Sequence, residues 1–141
     1  MRPSEFLIFT ITGFLVWLLA TAFYGVFGYV LVEGSFWTYV VNSALAAAAF
    51  GALFRGLVQS RRLGRRLWLA AAVAFAGPGL LAELAVFANM NAFFAQASPE
   101  ALGRYAGFIA FVYLSLPAFA WPTQGRAIPR RVAAEAFAPR A

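Results

Sequence analysis

From Phe6 to Val32 the sequence runs for 27 residues without one charged side chain. At 1.5 Å per residue a helix of that length spans roughly 40 Å, more than the ~30 Å hydrocarbon thickness of a bilayer. Three further apolar runs follow, so the pattern predicts an all-α, four-helix transmembrane bundle with helices at about 6–32, 36–58, 67–92 and 99–121. The transmembrane domain is placed at 1–125 and a basic tail at 126–141. Composition agrees: 63% of the 141 residues are hydrophobic and 11% charged, too apolar for so small a soluble domain to bury. Ala20-Thr21-Ala22 has the spacing of a signal-peptidase site, but the apolar run continues ten residues beyond it, so helix one is expected to be retained.

The charges set the topology. All basic residues are arginines, and ten of the 11 fall on one side: Arg2, Arg55, the connector residues Arg61, Arg62, Arg65 and Arg66, and Arg126, Arg130, Arg131 and Arg140 in the tail. Only Arg104 falls on the other. The positive-inside rule then puts both termini and the second connector in the cytoplasm. The same rule and attraction to anionic lipid headgroups account for the net charge of +6, and no nucleic-acid partner is expected.

The chain has neither cysteine nor histidine, and five glutamates are its only acids. Thiol, imidazole and most metal chemistry are therefore missing, no cofactor or metal is expected, and the protein reads as no enzyme. Its apolar aromatic faces would suit a pigment, a quinone or a lipid equally.

In a bilayer, helix faces rich in small residues mark packing. Helix one carries Thr10, Gly13, Trp17, Thr21, Tyr24 and Gly28 at steps of three or four; helix two carries Ser43, Ala47 and Gly51, beside Ala44, Ala48 and Ala52. Helix four has Gly103 and Gly107, extended by Ala106, Ala110, Tyr113 and Pro117. Helix three is interrupted by Gly77-Pro78-Gly79, a sequence that predicts a hinge, and bears Glu83 four residues later. Ala72, Ala76 and Gly79 share its face, so Glu83 should point into the bundle. An intramembrane carboxyl marks a functional site by default, or else a structural pair. Depth along the helices predicts a polar cluster of Tyr24, Asn42, Glu83, Arg104 and Tyr105, with a Glu83–Arg104 pair as its simplest structural form. Trp37, Trp68 and Trp121 fall near helix ends, where indoles favour the membrane interface, whereas mid-helix Trp17 needs a partner for its N–H.

The set Phe14-x-x-Trp17-x-x-x-Thr21-x-Phe23 with Gly28, then Pro78-Gly79-x-x-x-Glu83, then Pro99 with Gly103, Gly107 and Tyr113, resembles a family of small four-helix bacterial membrane proteins of unknown function. The likeness covers helices one, three and four within residues 6–121, with no motif in helix two or the tail, and implies a bacterial inner-membrane protein with an acidic position at Glu83. It implies no activity. Two functions are compatible with these features: an accessory or packing subunit that binds other membrane helices, a second copy of itself or lipid, and a small-molecule or ion transporter that uses Glu83.

Overall fold

The computed structural model describes residues 1–89 and 99–121. Among the described residues the fold has four helices, α1 (Pro3–Leu31), α2 (Phe36–Ser60), α3 (Trp68–Ala88) and α4 (Pro99–Ala120), with a 3-10 turn at Arg65–Leu67 ahead of α3. No strand occurs among the described residues. All four helices are long and apolar enough to cross a membrane. Their outward faces carry Leu19, Leu45, Leu81 and Leu114, an inversion of a soluble surface that fits a multi-pass membrane protein. The tail, with Arg130 and Arg131, and the third connector with Ser98 lie outside the described residues.

Helix ends follow local chemistry more than the limits of the uncharged runs. α1 begins three residues before Phe6, because Pro3 suits the first helical position and Glu5 Oε2 accepts the Arg2 backbone N–H at 2.8 Å. Ser35 caps α2 by accepting the Thr38 N–H at 3.2 Å. α2 runs to Ser60, two residues past the expected end. There the Leu63 N–H returns to the Val58 carbonyl and the Arg62 N–H to Gln59, both at 2.9 Å, a Schellman closure. Arg62 occupies the left-handed position of that closure at φ 50°. Trp68 Nε1 donates to the Leu63 carbonyl at 3.0 Å, which pins the connector to the start of α3.

α1 packs chiefly on α3 and α2 on α4, while α3 and α4 join the two pairs. Gly13 lets α1 approach α3 so closely that a Cβ there would strike the Phe75 carbonyl. Gly51 does the same for α2 against the Phe119 ring of α4. Phe9 and Phe54 are fully buried, and with Phe50 and Phe75 they form an aromatic core with ring centroids 5.0–6.4 Å apart.

The buried face of α4 differs from the expected one, and the expected hinge of α3 falls within a helix. Gly77-Pro78-Gly79 lies inside one continuous helix. Gly77 lacks the Cβ that would clash with the following proline ring, so the helix passes through Pro78, and Gly79 is a packing site under Tyr113 and Trp17. On α4, Gly103, Ala106, Gly107 and Ala110 face outward, and the buried face is Ala101, Tyr105, Phe108, Val112 and Leu116. Gly103 has no neighbour a Cβ would meet, while Gly107 abuts the Tyr39 hydroxyl. On α2, Ser43, Ala47 and Gly51 are buried, whereas Ala44, Ala48 and Ala52 are exposed.

Candidate functional site

The expected stripe of α1 faces inward: Gly13, Thr21, Tyr24 and Gly28 are buried and Trp17 is half-buried. Periodicity places Glu83 of α3 opposite that stripe, and the residue is only 4% exposed. Trp17 Nε1 donates to Glu83 Oε1 at 2.9 Å, and the Tyr105 hydroxyl donates to Oε2 at 3.0 Å. Both carboxyl oxygens thus accept from neutral donors, and one residue ties α1, α3 and α4 together. The partner that mid-helix Trp17 requires is this carboxyl.

Arg104 is not in the cluster, and the expected Glu83–Arg104 pair does not form. Its Nη1 donates to the Gly34 carbonyl at 3.0 Å and lies 3.5 Å from the Val32 carbonyl, while Nη2 meets Glu100 at 3.2 Å. The guanidinium therefore serves the carbonyl end of α1, where the helix dipole favours a cation. The Tyr39 hydroxyl donates to the Arg104 carbonyl at 3.1 Å, a link between α2 and α4 that no spacing in the sequence signalled.

Tyr24 and Asn42 form a separate pair, the tyrosine hydroxyl donating to Oδ1 at 2.9 Å. Ring packing of Tyr24 on Phe108 at 4.7 Å, and of Phe108 on Tyr105 at 6.3 Å, carries this pair to the Glu83 network. Of the five cluster residues, four are connected in this way and Arg104 stands apart.

The contact between α1 and α2 is thin, and their seam is open along the outer face. Nearer the C-terminal end of α1 lies a cavity of about 350 Å³, whose lining includes Glu83, Trp17 and Tyr105 together with Phe23, Phe50 and Phe108. Toward the N-terminal end of α1 the seam widens into a groove of about 710 Å³, lined by small residues Ala49, Ala52 and Gly56 of α2 and by Thr12 of α1. The two spaces share Val16, Ala49 and Leu53. Thr21 also lines the cavity, and its buried hydroxyl has no hydrogen-bond partner. The sequence marked Thr21 only as a packing residue.

No cluster of acidic side chains able to hold a metal occurs among the described residues. Arg61, Arg62, Arg65 and Arg66 are exposed at the end of the bundle where α2 joins α3, away from the Glu83 network. Trp37 and Trp121 are 72% and 73% exposed near helix ends, and Trp68 is half-buried. No family model, no curated protein and no solved structure matches this chain.

Proposed function

We propose that this is a non-enzymatic, multi-pass protein of a bacterial inner membrane, with both termini cytoplasmic, that acts as an accessory subunit by accepting a transmembrane helix of a partner protein along the α1–α2 seam. The observation that carries this reading is the seam itself: a groove along two neighbouring helices, whose lining combines Ala49, Ala52 and Gly56 with Val16, Leu53 and Leu57. Small side chains allow a third helix to approach closely, and close van der Waals packing is what drives helix association where water is absent. The arginine distribution supports the orientation. Glu83 has a structural part in this account, because its two hydrogen bonds tie three helices together.

A second reading, a carrier that uses Glu83, draws support from the presence of that residue in the lining of a cavity. One experiment separates the two. Tagged protein is purified in gentle detergent as wild type, Ala52→Phe and Glu83→Gln, and co-purifying membrane proteins are quantified. The accessory reading expects a stoichiometric partner that survives Glu83→Gln and is lost with Ala52→Phe, which fills the groove. Absence of any partner, together with proton-coupled uptake by the wild type in liposomes that Glu83→Gln abolishes, would favour the carrier.

A further inference from the structure

The α1–α2 seam differs along its length. Its wide part lacks any carboxyl, whereas the largely apolar cavity nearer the C-terminal end of α1 has Glu83 in its lining. Glu83 accepts only neutral donors, and among the described residues no arginine pairs with it. Thr21 is 8% exposed, one helical turn beyond Trp17 on the same face, and its hydroxyl is unpartnered. A threonine in a helix usually bonds a carbonyl of the preceding turn; the Thr21 oxygen is enclosed by protein, and a turn about χ1 is what would bring it to an occupant of the cavity. Around these groups stand the rings of Trp17, Tyr24, Phe50, Tyr105, Phe108 and Tyr113.

The geometry points to a binding site for a lipophilic amine in its protonated form, entering sideways through the α1–α2 seam, with its N–H groups directed to Glu83 and Thr21 and its apolar body against the aromatic walls. A carboxylate without a counter-charge is the natural partner of an ammonium group, and a charge-assisted hydrogen bond is the strong kind. The ring faces add cation–π attraction, which grows when the cation is desolvated. A cavity of about 350 Å³ falls in the range used for small molecules. Thr21 also favours an amine with an N–H over a quaternary ammonium, which has no donor to offer it. This assignment goes beyond the accessory role and requires no partner subunit, so it is tested on the purified protein alone.

The test uses tacrine, a ring-bearing amine protonated at neutral pH, titrated into protein-loaded and empty lipid nanodiscs and followed by fluorescence anisotropy. Menadione, a neutral quinone of similar size, serves as competitor. The expected result is saturable binding above the empty-disc background, weakened about tenfold in Glu83→Gln and severalfold in Thr21→Val. Because the Thr21 hydroxyl bonds nothing, Thr21→Val should fold as the wild type does and decides the matter alone if Glu83→Gln does not assemble. Binding equal to wild type in the variants, no saturable binding, or displacement of tacrine by menadione at equal or lower concentration would each overturn the proposal.

Discussion

Glu83 is held by an indole N–H and a phenol O–H, and both donors lose their partner if the carboxyl is removed. Glu83→Ala is therefore expected to destabilise the bundle by about 1–3 kcal/mol, since one buried and one part-buried donor are left unsatisfied. Glu83→Gln keeps an acceptor and removes the capacity for charge, so it should unfold at or above the wild-type midpoint. Thermal unfolding in detergent, followed by tryptophan emission, checks both; an alanine variant as stable as wild type would show that the network holds nothing together. The inward direction of Glu83 was legible in the sequence, because Ala72, Ala76 and Gly79 mark its face at helical period. Its partner was not. Sequence gives Arg104 a depth along α4 but not a direction around it, and the free carbonyls at the end of α1 offer the guanidinium a nearer place.

Four long apolar runs fix four helices, but ends and faces depend on shorter-range chemistry. Pro3 with Glu5 moved one boundary and the closure around Arg62 moved another. That closure places an arginine where glycine is favoured, so Arg62→Gly should stabilise the protein by about 1 kcal/mol, visible as a higher unfolding midpoint. Two glycines of α1 make a sharper pair. A Cβ at Gly13 meets the Phe75 backbone, whereas one at Gly25 meets nothing. Gly13→Ala should cost about 1–3 kcal/mol by forcing α1 and α3 apart, and Gly25→Ala should be neutral or gain up to about 1 kcal/mol. The same midpoint measurement applies, and equal effects at the two positions would refute the close α1–α3 contact. Small residues alone could not tell the buried glycines of α1 and α2 from the outward Gly103, since a small face suits an internal neighbour and an external one equally.

At the scale of the whole molecule, α1 joins α3, α2 joins α4, and the seam between α1 and α2 is left with little contact. Hydropathy reveals that helices exist and says nothing of which neighbours are missing, so the seam became visible only in three dimensions. Orientation has a direct check, because the chain has no cysteine of its own. Gly64→Cys should resist a membrane-impermeant maleimide in intact cells and Ser35→Cys should react; the reverse pattern would invert the topology. The most direct test of the central claim is site-specific photo-crosslinking in native membranes, with a benzophenone side chain placed either at Ala52 in the seam or at Leu81 on the outward face of α3. The account predicts a discrete protein adduct from Ala52 and none from Leu81. Adducts to lipid alone from both positions would contradict it.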